Sequence, residues 1–239
     1  MILTIHQPEH MPWLGFFNKL ANADLYVALD NVQYRHKYFQ NRNKIPGINS
    51  EIWLNVPIKK KGRRTKKIKD VEINNDIKWK EKSKKTIFHN YKNSKYFEEY
   101  YWYFDNLYSK DWKYLADLNL DIIKNFSTFL DIETKIITAS SLGIEGTGEK
   151  LIFDICNHFN PKVYISGKSG IGGQGKRYEE NFSKQEIKVL YQKFEHPEYY
   201  QFNRKNSFLP NMSVVDLIFN LGGKESGTLI KNSKGINYE

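Results

Sequence analysis

Short apolar runs that end abruptly in polar residues mark the first part of the chain. One run, Ile2 to Ile5, stops at His6, and a second, Leu25 to Leu29, stops at Asp30. Such runs are typical of buried strands, and the segment between them is long enough for one helix. The pattern therefore predicts a βαβ unit over residues 1–35. In an open α/β sheet the polar ends of both strands would share one crevice at the carboxyl edge.

The same pattern continues along the chain. We predict further strands over residues 51–58, 71–73, 132–139, 163–165 and 187–191, and helices over residues 149–159 and 212–221. Between residues 77 and 130, apolar and aromatic side chains recur at spacings of three and four, which predicts three helices. The fold class expected is α/β, with a mostly parallel open sheet and flanking helices. We expect one domain over residues 1–239, with residues 77–130 as a helical insertion or sub-lobe.

Composition adds a positive charge to this picture. The chain has 37 lysine and arginine residues against 27 aspartate and glutamate residues, a net charge of +10. This excess predicts attraction to phosphate groups, in a nucleic acid, a nucleotide or an anionic head group. Residues 59–69 hold eight basic side chains in eleven positions. That run is either a solvated loop or a phosphate clamp over the crevice, and the sequence leaves both open.

Cysteine count and hydropathy exclude several classes of protein. Cys156 stands alone, so neither an internal disulfide nor a cysteine-type zinc site can form within the chain. Its place among apolar residues favours a small buried side chain over a nucleophile. Neither a targeting segment nor an apolar stretch of membrane-spanning length is recognisable. We expect a cytoplasmic protein without a membrane span and without a bound metal, and the oligomeric state stays open.

A resemblance enters at the opening motif, I-H-Q-P-x-H-x-P-W-L-G-F-F, which is followed by L-D-x-V-Q-Y and N-R-N. It resembles the WbqC-like protein family of bacteria, whose genes lie among those for polysaccharide, O-antigen and lipopolysaccharide biosynthesis. The resemblance runs along the whole chain and includes F-H-N-Y at residues 88–91, S-S-L-G-I-E-G at 140–146 and Y-I-S-G at 164–167. It implies a transferase that places an acyl group, for example glycyl, on a nucleotide-linked amino sugar.

A second, weaker resemblance concerns the first strand and helix. Nucleotidylyltransferases and class I synthetases carry a His-x-Gly-His turn at the start of a helix, where nucleotide phosphates bind. In this chain Leu14-Gly15-Phe16 opens the predicted helix, and Phe16 stands where the second histidine would be. The strand-turn-helix arrangement is therefore similar, while the catalytic signature is absent.

Acyl transfer to a sugar amine requires a base, and histidine is the side chain best matched to neutral pH. His6 is the first candidate because it ends a predicted strand, and His89 in F-H-N-Y is the second. His10 would bind substrate or orient the helix near Trp13. Asp30 would orient a histidine or hold the sugar amine, or it would cap the turn after its strand. Pro8 lies between His6 and His10, so the two histidines are not expected to share a helix face.

Several other side chains are suited to binding an activated sugar. Amides read hydroxyls and base edges, aromatic rings stack, and cations or backbone N–H groups hold phosphates or an oxyanion. Asp216 shares one face of the last predicted helix with Asn220. The candidate binding residues are Gln7, His10, Trp13, Lys19, Gln33, Tyr34, Asn41, Arg42, Asn43, Ser166, Gly167 and Asp216. Arg42 is expected in a polar loop as a partner for a diphosphate. The glycine-rich stretch after residue 166 lacks the spacing of a Walker A loop.

The acyl donor and two alternative functions stay open at this point. No tightly bound cofactor is expected, and the donor would be acyl-CoA, a carrier-protein thioester, an aminoacyl-tRNA, or ATP plus an amino acid. The net charge and the basic run also suit an RNA-binding or aminoacyl-tRNA-dependent protein. A glycosyltransferase-like assembly protein is the further alternative. The metal-dependent type of glycosyltransferase would require an Asp-x-Asp pair after a strand, which the sequence lacks.

Overall fold

A sheet of five parallel strands forms the centre of the computed structural model, which describes residues 1–62, 64–167, 175–204 and 207–236. Its strands are β1 (Ile2–His6), β2 (Leu25–Ala28), β5 (Lys135–Thr138), β6 (Val163–Ser166) and β7 (Lys188–Tyr191). A separate antiparallel hairpin consists of β3 (Arg42–Pro46) and β4 (Glu51–Asn55). The α/β fold with a mostly parallel sheet, predicted from the apolar runs, is confirmed.

Eight helices are seen in the described part of the chain. They are α1 (Leu14–Ala21), α2 (Trp79–Tyr91), α3 (Phe97–Ser109), α4 (Leu115–Phe129), α5 (Gly148–Phe159), α6 (Gly175–Lys184), α7 (Val214–Leu221) and α8 (Gly223–Asn232). The helices α2, α3 and α4 match the three predicted between residues 77 and 130. They lie between β4 and β5 in the chain and pack into the same apolar core as α1 and α7.

The order of strands in the sheet is β5-β2-β1-β6-β7. From β1 the chain moves outward on one side, through β2 to β5, and then crosses β1 to build β6 and β7 on the other side. The order therefore reverses between β1 and β6. In open α/β sheets this reversal opens a crevice at the carboxyl ends of the two strands, where ligands bind.

Helices cover both faces of the sheet because its strands are apolar on both sides. Leu3 and Ile5 of β1 point to one face, where α5 and α6 pack. Tyr26 and Ala28 of β2 point to the other, against Phe16 and the other apolar residues of α1. Side chains alternate along a strand, so His6 lies on the same face as α1. This alternation directs His6 toward the first helix at the mouth of the crevice.

Four segments differ from the sequence prediction. The expected loop around Arg42 is instead β3, paired from Arg42 to Pro46 with β4. A strand is normally recognised by alternating apolar and polar residues. In β3 this alternation is not visible, because the polar Asn43 is buried on the same face as Ile45. The expected strand over residues 71–73 makes only isolated bridges through Glu72 and Ile73. The helices α6 and α8 were not predicted.

Close packing explains why α8 carries glycine. A Cβ atom on Gly227 would lie 1.9 Å from the carbonyl oxygen of Leu130, and one on Gly223 would lie 2.2 Å from that of Phe129. The glycines thus let α8 pack directly against the end of α4. They also lower helix propensity, and for this reason the segment did not stand out as helical.

Candidate functional site

His6 and Ser166 end the two strands that flank the crevice, β1 and β6. The imidazole of His6 packs edge-on against the ring of Phe16, with 5.6 Å between centroids, and 35% of its side chain is exposed. Its Nδ1 lies 3.0 Å from the carbonyl oxygen of Gln7. Because a carbonyl only accepts, Nδ1 carries the proton and Nε2 keeps its lone pair. Burial by the surrounding protein, helped by the charge of Lys19, holds the pKa of His6 well below 6.5, so the ring is neutral at pH 7.

Glu9 and Lys19 are buried beside His6. Glu9 is 7% exposed and its Oε1 lies 3.9 Å from His6 Nδ1, while its Oε2 accepts no hydrogen bond from any described residue. Lys19 is 3% exposed and its Nζ also lacks a hydrogen-bond partner in the described part of the chain. Burial raises the pKa of Glu9 to about 7 and lowers that of Lys19 to about 8. A buried acid and a buried base that both titrate near neutrality are typical of a functional site.

Glu9 was not among the residues chosen from the sequence. Its only signal is its place between His6 and His10 in the opening motif, and no periodicity marks a carboxylate as buried. Lys19 was among the candidate binding residues, and in the structure its charge acts on Glu9 and His6. The carboxylate and the ammonium are two charged groups beside His6 whose hydrogen bonds are unfilled among the described residues.

The loop from β1 to α1 is held by amide side chains from distant segments. Asn119 donates to the carbonyl oxygen of Pro8 at 3.1 Å, and Asn43 donates to that of Met11 at 2.9 Å. Met11 has φ +45°, a left-handed conformation that costs energy in a residue with a side chain. His10 is 1% exposed, and burial lowers its pKa to about 4. Asn43 and His10 were both candidates for substrate binding. In the structure both are buried, and Asn43 holds the backbone of this loop in place.

Gln7 reaches the crevice from the same loop. Gln40 Nε2 donates to Gln7 Oε1 at 2.5 Å, and Gln40 Oε1 accepts from the backbone of Arg35 at 2.8 Å. The Nε2 group of Gln7 donates to none of the described residues. Gln7 is thus oriented by one protein contact and keeps an N–H group for a ligand.

Asp30 joins the ends of two strands. It is 4% exposed, and its carboxylate accepts hydrogen bonds from both the backbone N–H of Ser140, at 2.8 Å, and the hydroxyl of Ser140. Ser140 lies in the short 3-10 helix Ala139–Leu142, directly after β5. The carboxylate therefore closes the turn after β5 rather than the turn after its own strand.

Tyr34, Asn41 and Gln33 make hydrogen bonds within the protein. Tyr34 is buried and donates to Asn41 Oδ1 at 2.9 Å, and Asn41 donates to the carbonyl oxygen of Val56 at 2.9 Å. Gln33 is exposed and donates to the carbonyl oxygen of Arg64 in the basic segment. These contacts tie the segment after β2 to the hairpin and to the basic run.

Trp13 and Arg42 lie against aromatic rings. Trp13 begins α1 and meets Phe194 edge-on, with 5.4 Å between ring centroids. The guanidinium of Arg42 lies 4.5 Å from the ring centroid of Trp53, and its Nη2 donates to the carbonyl oxygen of Lys37 at 2.6 Å. Arg42 thus belongs to the surface of the hairpin.

His89 and Asp216 are not joined to His6 by any contact of the described residues. His89 is exposed on α2 and lines a separate groove. Asp216 is buried and accepts hydrogen bonds from the hydroxyls of Tyr91, at 3.0 Å, and Tyr199, at 2.8 Å. Burial raises the pKa of Asp216 to about 6, although these bonds oppose the rise. Two candidates from the sequence therefore lie outside the crevice.

Ser166 is the last residue of β6, and Gly167 follows it as the last described residue before residue 175. Ser166 is 9% exposed and lies one residue beyond Ile165, which pairs with Thr4 of β1. The glycine-rich stretch at residues 168–173, considered from the sequence as a ligand-binding loop, lies outside the described residues. Ser166 and His6 are thus brought to the same edge of the sheet, as their strand ends predict.

Neither a metal-binding cluster nor a membrane-spanning helix is found among the described residues. Among them, no group of three or more His, Cys, Asp and Glu side chains is arranged to hold a metal ion. No helix in the described part of the chain is long and apolar enough to span a bilayer. Cys156 is buried, and burial raises the pKa of its thiol to about 12.

Comparison with known proteins decides the family. The model of the WbqC-like protein family matches residues 7–227. The chain belongs to the WbqC-like protein family. This WbqC-like chain is also 25% identical over 224 residues to a protein of Mycobacterium tuberculosis that is described as uncharacterized, with 93% of this chain and 94% of that protein covered. No solved structure matches it.

Proposed function

We propose that this WbqC-like protein transfers an acyl group, aminoacyl groups such as glycyl included, to the amine of a nucleotide-linked amino sugar. The observation that carries the proposal is the crevice between β1 and β6. There His6, Glu9 and Lys19 lie together, and the buried carboxylate and ammonium lack hydrogen-bond partners among the described residues. Unfilled buried polar atoms are costly in a folded protein, and a polar ligand would fill them.

The sugar amine is protonated at neutral pH and must lose a proton before it can attack. Glu9, with a pKa of about 7, is half ionised at that pH and is well matched to accept this proton. His6 offers its Nε2 lone pair beside it and orients the amine as a neutral acceptor. The free amine then forms a C–N bond to the carbonyl carbon of the donor, and the leaving group departs with a proton.

The tetrahedral intermediate carries a negative charge on the former carbonyl oxygen. The ammonium of Lys19 is buried, so its attraction for this oxygen or for a phosphate is little screened by water. Ser166 and Gly167 add a hydroxyl and a backbone N–H at the adjacent strand end. Nucleotides bind at the same point of other open α/β sheets, which supports placing the nucleotide of the substrate there.

The test is a mass change on the sugar. The purified protein is incubated with dTDP-linked amino sugars and, in turn, acyl-CoA, a carrier-protein thioester, an aminoacyl-tRNA, or ATP with an amino acid. We expect one donor to add its acyl mass to the sugar, and Glu9→Gln to slow that reaction. Glu145→Gln is the matched control, because this carboxylate is exposed and paired with Lys67. No mass gain with all four donors would contradict the proposal.

A further inference from the structure

The lysines of α2, together with Lys78 directly before it, fall into two sets on different faces of the helix. Lys80 lies 3.0 Å from Asp111, and Lys84 lies 2.7 Å from Asp105, so both are paired with carboxylates. The exposed lysines Lys78, Lys82 and Lys85 form no ion pair with a described residue. One face of α2 is therefore neutralised and the other keeps its positive charge.

The unpaired lysines line a groove of about 810 Å³ between α2 and the turn of the β3–β4 hairpin. His89 continues the same stripe, since residues three and four apart share a helix face. Glu81 is the one carboxylate among the described lining residues. The groove is open to solvent and carries an excess of positive charge, which suits a phosphate chain.

A second groove of about 460 Å³ adjoins the first one. The two share Lys78, Lys82 and Thr86, and the second adds Lys60 from the basic run and the exposed ring of Trp53. Its wall also holds the side-chain amides of Asn55 and Asn74, whereas the amide of Asn41 is engaged by Tyr34 and Val56. Lysines for phosphates, amides for base edges and an aromatic ring for stacking are the groups that bind single-stranded nucleic acid.

The aromatic ring in this groove is displayed rather than buried. Trp53 is 39% exposed and Phe39 is 41% exposed, with 6.4 Å between their stacked rings. The guanidinium of Arg42 lies 4.5 Å from the ring centroid of Trp53. Trp53 and Phe39 thus form an exposed aromatic pair beside a cation, on which a base can stack.

The second groove is linked to the crevice through the chain itself. Asn41 lines the groove, and the residue before it, Gln40, donates to Gln7 at the crevice. Neighbouring residues of the chain therefore line the second groove and hold the loop of the crevice.

We propose that the two grooves bind single-stranded RNA and that the acyl donor is an aminoacyl group esterified to the 3′ end of an RNA. The donor assignment rests on the proposed function, whereas the RNA-binding assignment does not. In the reaction the sugar nitrogen bonds to the acyl carbon and the ester bond to the terminal ribose breaks. The departing ribose oxygen takes the N–H proton that the attacking nitrogen gives up as the amide forms. The first proton, which Glu9 takes from the ammonium, passes to water, so no further co-reactant is required. An acidic carrier protein would also be attracted by the positive charge of the grooves. It has no bases, however, that could stack on Trp53 or form hydrogen bonds with the asparagine amides.

RNA binding is measured directly, by fluorescence anisotropy of a labelled single-stranded RNA of twelve nucleotides and of an uncharged tRNA. The double variant Lys78→Gln with Lys82→Gln is compared with Lys80→Gln and Lys84→Gln. The second pair lies on the same helix and loses the same charge, but from the neutralised face. With about 0.7 counterions released per single-strand phosphate contact, losing two contacts should lower the salt slope by about 1.4 and the affinity at 0.1 M salt roughly 25-fold. The control pair should change neither.

Trp53→Ala tests the stacking platform, and Trp102→Ala is its control, since Trp102 is 51% exposed on α3 away from both grooves. We expect Trp53→Ala to weaken RNA binding about tenfold or more. Circular dichroism of each variant shows that the fold is kept. Equal binding by all variants, or competition by polyglutamate as strong as that by RNA, would overturn the RNA assignment.

The outcomes separate this inference from the proposed function. Acyl transfer from acyl-CoA or from a carrier protein, in a protein that does not bind RNA, would overturn the inference alone. RNA binding in the grooves without any acyl transfer would overturn the donor role and the proposed function, and would leave an RNA-binding protein. If the protein transfers the acyl group from an aminoacyl-tRNA, and the Lys78 and Lys82 substitutions slow this transfer, the result would support both the RNA-donor inference and the proposed function.

Discussion

The hydrogen bonds from Ser140 to Asp30 give a direct test of how the strand ends are held. Asp30→Ala removes the acceptor of both the backbone N–H and the hydroxyl of Ser140. Hydrogen bonds to a charged group contribute about 1.5–3 kcal/mol each, and the N–H that loses its partner lies next to a buried strand end. We therefore expect Asp30→Ala to lower the free energy of unfolding by about 3 kcal/mol or more. Ser140→Ala removes only the hydroxyl bond and should cost about 1.5 kcal/mol.

These two substitutions should not be additive, because they remove the same bond. The double variant should be about as stable as Asp30→Ala alone, with a coupling energy of about 1.5 kcal/mol in a double-mutant cycle. Urea unfolding followed by tryptophan fluorescence measures all four proteins. Ser141→Ala serves as the control, because its hydroxyl donates to the carbonyl oxygen of Thr138 at 2.7 Å and does not contact Asp30. Additivity of Asp30→Ala and Ser140→Ala would refute the view that Asp30 closes the turn after β5.

Three further predictions follow from the crevice and from α8. Turnover should rise with pH up to about 7, because the Glu9 carboxylate that accepts the proton forms over this range. Glu9→Gln should lower kcat at least 100-fold, and the rise in turnover below pH 7 should disappear. Replacing the buried charges by apolar side chains of similar size, Glu9→Met with Lys19→Met, should raise the free energy of unfolding by about 1–4 kcal/mol in urea at pH 7. A less stable double variant would contradict the cost assigned to the buried charges. Gly227→Ala should lower the free energy of unfolding by 2 kcal/mol or more despite better helix propensity, because its Cβ would meet the carbonyl oxygen of Leu130. The exposed Thr228→Ala should change it by less than about 0.5 kcal/mol, and equal values for the two variants would show that α8 can move away.

Much of the sheet could be predicted because its strands are short apolar runs that end at polar residues. Apolar runs that end at His6 and Asp30 mark β1 and β2, and a strand end is a reliable indicator of the crevice edge. The hairpin was missed at β3 because Asn43 is buried to hold the carbonyl of Met11, a role that no local pattern reveals. The helix α8 was missed because its glycines are needed for contact with α4 and speak against a helix.

The candidate site was predicted less completely than the sheet, for a physical reason. Patterns of hydrophobicity report which face of an element is buried, but they do not report which polar side chain is buried with it. Glu9 and Lys19 are surface-type residues by composition, and only the fold shows that both lose contact with water. His89 and Asp216 stand in polar motifs much like that of His6. In the fold, however, His89 lines the groove beside α2 and Asp216 is buried against Tyr91.

The position of β1 at the centre of the sheet has a consequence for how the protein is made. Thr4 of β1 donates to the carbonyl oxygen of Ile165, a residue 161 positions later in the chain. At 5–20 residues per second, a ribosome needs about 8–30 s to add these residues, and one edge of β1 has no partner during that time. An unpaired strand edge invites association with other chains. Nascent chains that stop before β6 should therefore aggregate or recruit chaperones, and the crevice, which needs both strands, comes into being only near the end of synthesis.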